Sequence, residues 1–248
     1  MKISIITATY NSSKTIQQTL ESVKKQTYTN IEHIIVDGLS SDDTISIVNH
    51  FSHISQVIIE KDNGIYDAIN KGIKIATGEI VGILNSDDVL YDEFVIEKIA
   101  NAFLSNSTIS SVIAPVVFYD FLNDKVKRIY SISRWKTSFF KFGSMPPHPS
   151  FYCYRNLFNE FGYYNTNYSI AGDFDLMLRF LHVNKLTYEK LTFYTNKMSL
   201  GGISTKNIKS NILLNKEILH SCKMNRIKTN YLLIYSKYIW KIFQFKFN

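Results

Sequence analysis

Asp87 and Asp88 stand side by side at the end of a short apolar run, Glu79-Ile-Val-Gly-Ile-Leu-Asn85-Ser86-Asp87-Asp88-Val89. Adjacent carboxylates repel unless a positive charge joins them, and a hard divalent cation is the usual partner. The run is rich in branched residues and follows Thr77-Gly78, so it reads as a buried parallel strand. Open α/β sheets bind ligands at the carboxyl ends of their strands, which places these acids for a site rather than for the core. Asp88 alternatively caps the helix expected over residues 91–105. A second acidic segment, Ser169-Ile-Ala-Gly172-Asp173-Phe-Asp175-Leu-Met-Leu-Arg179, opens another expected helix, and acids in its first turn suit the helix dipole.

The elements that must position these acids follow a regular rhythm. A strand is expected over 3–11 and a helix over 13–25, with Ile16, Leu20 and Val23 at helical spacing. A second strand over 31–37 closes in Asp37-Gly-Leu-Ser-Ser-Asp-Asp-Thr44, a turn leading into a helix that runs to about His50. A third strand is expected over 56–60, then a helix over 64–76 with Ile65, Ala68, Ile69, Gly72, Ile73 and Ala76 on one face. Strands alternating with helices of this length predict a mostly parallel sheet with right-handed crossovers. The polar ends of three strands, Thr7 to Asn11, Asp37 and Asn85 to Asp88, then converge on one crevice. Wet loops explain polar strand ends in general, but explain acids gathered at one edge less well.

After residue 105 the rhythm changes. Strands over 111–119 and 127–130 flank Asn123-Asp124 as a hairpin. Ser144-Met-Pro-Pro-His148-Pro-Ser150 must be a stiff, extended loop, and another strand is expected over 150–154.

Hydrophobic content of 45% and charge of 20% belong to an ordinary globular chain, and 248 residues can bury a full core. Sixteen Tyr and seventeen Phe against ten Gly and four Pro favour packed elements and aromatic surfaces over long loops. The net charge of +7 is concentrated in residues 206–248, where nine Lys or Arg face a single acid, Glu217. Residues 230–248 carry Tyr231, Leu232, Tyr235, Trp240 and Phe243 among other apolar side chains, with Lys237, Lys241 and Gln244 on one narrow polar face. That composition suits an interfacial helix on an anionic membrane; a helix packed on the domain or on a second subunit is the alternative. Cys153 and Cys222 are too few for a disulfide framework or a thiolate metal site, which points to a reducing compartment. The N-terminus lacks the pattern of a signal peptide, and no run approaches the length of a spanning helix. The first strand ends in Thr-Ala-Thr-Tyr-Asn rather than G-x-G-x-x-G, against a dinucleotide dehydrogenase.

Five stretches, in order, resemble glycosyltransferase family 2 over residues 2–205: Thr7-Ala8-Thr9-Tyr10-Asn11; Asp37-Gly-Leu-Ser-Ser-Asp42; Glu60-Lys-Asp62-Asn-Gly64-Ile-Tyr-Asp-Ala-Ile-Asn70-Lys-Gly72; Gly78-Glu-Ile through Asn85-Ser86-Asp87-Asp88; and Gly172-Asp173-Phe-Asp175 with Leu178-Arg179. The resemblance implies a GT-A, Rossmann-like α/β domain over 1–205, followed by a basic, aromatic helical extension over 206–248. It implies an inverting enzyme that moves a sugar from a nucleotide-sugar donor, a UDP-sugar by default, to a hydroxyl of a glycan or lipid-linked acceptor in surface polysaccharide synthesis. Thr7, Ala8, Thr9, Tyr10, Asp37 and Asp62 would then line the nucleotide pocket, with Asn85 and Ser86 beside the donor. Asp87 would bind Mn²⁺ or Mg²⁺, and Asp173 would be the base. Asn85 replaces the usual first Asp of the Asp-x-Asp element, which keeps an oxygen acceptor but loses a charge. Gly172 stands where many members carry Glu. His148 is a candidate donor or acceptor contact, or a satisfied loop histidine; His33, inside an apolar strand, reads as packed. Gly201-Gly202-Ile203-Ser204 could wrap phosphates through backbone amides. The expected location is the cytoplasmic face of the cell membrane, with no nucleic-acid partner. A catalytically inactive donor-binding scaffold and a nucleic-acid module using the basic tail are the competing functions.

Overall fold

The computed structural model describes residues 1–201 and 208–242. In chain order the first half comprises β1 (Ile3–Thr9), α1 (Ile16–Lys24), β2 (Ile31–Asp37), α2 (Thr44–Val48), β3 (Ile54–Ile59), α3 (Ile65–Ile75), β4 (Ile80–Ile83), β5 (Val89–Leu90) and α4 (Val95–Ser105). The second half comprises β6 (Ser111–Ile113), β7 (Val116–Asp120), β8 (Lys125–Tyr130), β9 (Tyr152–Tyr154), α5 (Asn156–Phe161), α6 (Gly172–Met177), β10 (Tyr188–Lys190), β11 (Asn196–Ser199), α7 (Ile208–Met224) and α8 (Tyr231–Ile242). Beyond α6 the helix continues over Leu178–Val183 as a π-helix.

The main sheet has the order β10-β6-β9-β4-β1-β2-β3. β1 pairs in parallel with β2 on one side and β4 on the other, and only β9 runs antiparallel to its neighbours. From β1 the chain builds outward through β2 and β3, then crosses back to place β4 on the opposite flank. The gap between the ends of β1 and β4 is therefore a topological switch point, the usual ligand crevice of such sheets.

Period-two alternation divides the core. Ile3, Ile5 and Ile80 face α4 residues Ile96 and Ile99, whereas Ile6, Val36 and Val81 face Ile69 and Ile73 of α3 and Phe174 and Met177 of α6. A second sheet has four strands in the order β5-β11-β7-β8.

Three departures from the sequence expectations have physical causes. The run expected as one strand over 111–119 breaks at Pro115, which has no N–H to donate; β6 joins the main sheet and β7 the second. The helix expected from 91 begins at Val95 because Val89–Leu90 pairs with β11, and Phe94 occupies its N-cap position, so Asp88 does not cap it. The tail packs on the domain, with Ile218 and Cys222 of α7 and Ile234 of α8 in the main core. Lys237, expected on a polar outer face, is buried, its Nζ 5.4 Å from the Tyr238 ring centroid. Gly202-Ile203-Ser204, Phe243 and Gln244 lie outside the described residues.

Candidate active site

At the first strand end, Thr7 is turned into the sheet, its Oγ1 3.1 Å from His33 Nε2. Burial pushes His33 down to about 3, so it is a neutral packing partner. Ala8 is half-buried, and Thr9 lies at the mouth with its Oγ1 buried and without a hydrogen-bond partner among the described residues. Tyr10 is 62% exposed. A Cβ built on Gly38 would lie 2.4 Å from Asp62 Oδ2 and 3.5 Å from Tyr10 Cδ2, so only glycine lets these two side chains converge over the end of β2. Asp62 Oδ1 accepts from Gly64 N at 2.9 Å, at the turn that opens α3. Asp37 is fully buried and accepts from Ser40 N and Ser40 Oγ at 2.7 and 2.5 Å, while Asn11 Oδ1 accepts from Ser41 N at 2.9 Å. The ends of β1 and β2 are thus sewn into one rigid lip.

Across the switch point, the Asn85-to-Asp88 turn is closed by Asp88 N donating to Asn85 O at 3.1 Å. Ser86 Oγ meets Ser12 Oγ at 3.0 Å, bridging the two strand ends. The Asp88 carboxylate accepts from Asn85 Nδ2 at 2.9 Å and from Ser199 N at 3.0 Å, and Ser199 Oγ donates to Asp87 O at 2.7 Å. Burial, then the neighbouring Asp87 charge, raises Asp88 above the usual carboxylate range; burial also raises Asp87. Asp88 is the structural member of the pair. The Asp87 backbone N–H bonds its own carboxylate, and among the described residues no three His, Cys, Asp or Glu side chains form a cation cage.

The third strand end feeds the Asp173 segment. Gly64, at φ 107°, starts α3, and the Tyr66 hydroxyl in its first turn donates to Ile170 O at 2.6 Å. Asp173, in the first turn of α6, accepts from Phe174 N at 2.7 Å. Burial pushes Asp173 up to about 6, against hydrogen bonds that favour its ionised form. One short helical turn therefore joins the Asp62 lip to the Asp173 segment. A carboxyl poised near neutrality in a cleft of this kind is suited to accept a proton.

The description glycosyl transferase family 2 fits residues 4–220 of this sequence. The chain belongs to that family. Relatives include a PGL/p-HBAD biosynthesis glycosyltransferase of Mycobacterium bovis, 28% identical over 236 residues, 90% of this chain and 84% of the relative. A UDP-Glc:alpha-D-GlcNAc-diphosphoundecaprenol beta-1,3-glucosyltransferase, WfaP of Escherichia coli, is 44% identical over 102 residues, 40% of this chain and 39% of that protein. The fold is similar to S. aureus TarS 1-349 solved with UDP-GlcNAc, at a TM-score of 0.66 and 20% identity, covering 88% of this chain and 67% of TarS 1-349. A mannosyltransferase of Pyrobaculum calidifontis, solved with GDP-Man and Mn2+, aligns at a TM-score of 0.57 and 21% identity over 78% of this chain and 55% of that one. This family 2 chain is thus a glycosyltransferase with a GT-A-like fold.

Within the family 2 frame, Thr9, Tyr10, Asp37, Asp62, Asn85, Ser86 and Asp87 gather around the switch point, with Thr7 behind them. His148 sits elsewhere: it is 8% exposed, its Nε2 lies 2.7 Å from the Tyr164 hydroxyl, and burial pushes it down to about 4. Tyr164 in turn stacks on Tyr66 at 5.7 Å and is held by Asn70 through paired 2.8 and 3.0 Å bonds. His148 thus buttresses the platform under Asp173. Sequence reasoning missed Tyr66, Ser199 and Glu217. Tyr66 stood inside a quoted motif and could have been found, whereas the partners of Ser199 and Glu217 left no trace in spacing.

Proposed function

We propose that the chain is an inverting glycosyltransferase that moves a sugar from a UDP-sugar to a hydroxyl of a glycan or lipid-linked acceptor in surface polysaccharide synthesis. The observation that carries this is the pairing of two differently placed carboxylates: Asp87 at the switch point, and Asp173, half-buried and raised towards neutrality by desolvation, on the segment gripped by Tyr66. Asp173 takes the proton from the acceptor hydroxyl as its oxygen attacks the anomeric carbon. The new carbon–oxygen bond forms on the face opposite the breaking bond to phosphate, and the nucleoside diphosphate leaves. Tyr10, Asp62 and Asp37 form the nucleotide lip. The UDP-sugar assignment is supported by the UDP-GlcNAc complex of TarS and the printed donor of WfaP, and the acceptor class by the diphosphoundecaprenol in that same name.

Asp87 and Asn85 fit Mn²⁺ or Mg²⁺. Hexacoordinate cations of this kind are held by one or two carboxylates and completed by substrate phosphates. Asp87 offers a carboxylate bonded by its own backbone N–H, and Asn85 keeps its Oδ1 while its Nδ2 is spent on Asp88. When bound, the cation supplies Lewis acidity against the charge growing on the departing diphosphate.

The C-terminal helices bring the enzyme to the cytoplasmic membrane face as a peripheral protein. No helix among the described residues is long and apolar enough to cross a membrane. Leu232, Tyr231 and Tyr235 of α8 and Met224 of α7 are exposed near Lys223, Arg226 and Lys228, a combination suited to anionic headgroups. Flotation with phosphatidylglycerol vesicles should carry the protein up, and Leu232→Asp should weaken this; equal recovery with purely zwitterionic vesicles would contradict it.

Transfer of radiolabel from UDP-glucose or UDP-N-acetylglucosamine to lipid-linked acceptor tests the chemistry. Asp173→Asn should lower turnover by about 100- to 10,000-fold, the span of general-base catalysis, and Asp87→Ala should reduce it sharply. Full transfer by both variants would refute the assignment.

A further inference from the structure

The tail carries one acid, and it does not face solvent as a lone charge. Glu217 of α7 accepts three successive backbone N–H groups: Ser169 N at 2.8 Å on Oε1, and Ile170 N and Ala171 N at 2.9 and 2.8 Å on Oε2. These are the residues that lead into α6, and Ala171 is its N-cap, two positions before Asp173. A carboxylate held by three amides is a strong, directional anchor. Tyr66 grips the same segment from α3 through Ile170 O.

The helices also bind each other reciprocally. Asp175 of α6 accepts from Ser221 Oγ of α7 at 2.7 Å, and its other oxygen accepts from Arg179 Nε at 2.8 Å. Arg179 extends the brace by donating to Phe161 O, Gly162 O and Tyr163 O. Ile218 and Cys222, next in sequence to Glu217 and Ser221 respectively, pack α7 into the core. The register of α7 is therefore locked to that of α6.

We infer that Glu217 is a positioning residue for Asp173: its carboxylate, acting through the amides of residues 169–171, holds the base at the start of α6 in the orientation that transfer requires. The inference rests on Asp173 being the base. It makes α7, in the extension beyond the five motifs, a working part of the catalytic centre rather than an appendage. Glutamine at 217 has one oxygen acceptor and a donor amide, so it cannot satisfy three N–H groups and sets its own N–H against one of them.

The groups bearing on Asp173 are Tyr66 from α3, Tyr130 from β8, Tyr164 from the stretch after α5, and Glu217 from α7, with Arg128 acting on Tyr130 and Arg179 on Tyr164. Desolvation is the main cause of the raised Asp173 value, and of these groups Glu217 contributes the negative charge that adds to it. Removing it should move the acid limb of turnover to lower pH.

The test uses the full chain and whichever of UDP-glucose and UDP-N-acetylglucosamine is transferred. Glu217→Gln should keep the donor KM within about 2-fold while kcat falls by about 10- to 100-fold, as expected when a reacting group is misplaced by a fraction of an ångström to an ångström. Its acid limb should shift downward. Glu217→Asp, which keeps the charge on a shorter arm, should lose kcat with the limb near its wild-type position. Wild-type kcat in folded Glu217→Gln, or a loss matched by the unfolded fraction with an unmoved limb, would overturn the inference. Should Glu217→Gln fail to fold, Glu217→Asp decides alone: reduced kcat at unchanged donor KM supports positioning, and wild-type kcat refutes it. Failure of the base assignment reads differently, as retained turnover in Asp173→Asn.

Discussion

The ring of Tyr66 occupies the space a side chain on residue 172 would need: a Cβ built on Gly172 would come within 2.6 Å of Tyr66 Cε2. The resemblance to family 2 implies Glu at this position in many members, and here the tyrosine ring closes over the backbone. The ring cannot yield cheaply, because its hydroxyl is bonded to Ile170 O and its other face stacks on Tyr164. Gly172→Glu should therefore displace Tyr66 and lower both stability and turnover, even though it restores a common family residue. Differential scanning fluorimetry together with the transfer assay checks this; an unchanged melting temperature with full activity would contradict it.

A similar reversal is expected at Asn85. Its amide donates to Asp88 Oδ2, so Asn85→Asp replaces a donor with an acceptor facing two further carboxylates. Leaving a buried acceptor unpaired costs about 1–3 kcal/mol. The variant should melt lower than wild type in metal-free buffer, and a higher melting temperature there would argue against the assigned hydrogen bond.

Activity should depend on pH through Asp173. The base works when ionised and lies near 6, so kcat should be level above that point and fall towards unit slope in its logarithm below it. A kcat profile flat down to pH 4.5 would mean that another group takes the proton.

Acid stability should depend on Glu32. It is buried, and although burial alone would raise it, bonds from Ser4 Oγ, Thr77 and Lys2 Nζ hold it at about 2. Its folded-state value is depressed, so its stabilising contribution is present above about pH 4.5 and is lost as pH falls towards 2. Glu32→Ala leaves Thr77 N and the hydroxyls of Ser4 and Thr77 without their acceptor and should cost about 3 kcal/mol. The gap in melting temperature between variant and wild type should be wide at pH 7 and narrow at pH 3; a constant gap would contradict this.

The alternating strands and helices up to residue 84 were legible because each apolar run is long enough to show its period, and the strand ends at Asp37 and Asn85 lie at one edge as the alternation requires. Of the second sheet only the β7–β8 hairpin was legible. Its strands β5 and β11 are two and four residues long, and they form because Ser199 and Asn196 meet the Asp88 and Leu90 region more than a hundred residues away. The inward face of the tail was hidden for a related reason. Its basic, aromatic composition records the outer face of α7 and α8, whereas Ile218, Cys222, Ile234 and Lys237 turn inward. Glu217 read as an isolated acid because its partners are backbone amides, which carry no residue signature.

The anomeric configuration of the product tests the account most directly. Proton NMR of the isolated glycoside, made from an α-linked UDP-sugar, should show a β-linked product from wild-type enzyme and none from Asp173→Asn. An α-linked product, or undiminished β-product from the variant, would contradict single-displacement transfer with Asp173 as the base.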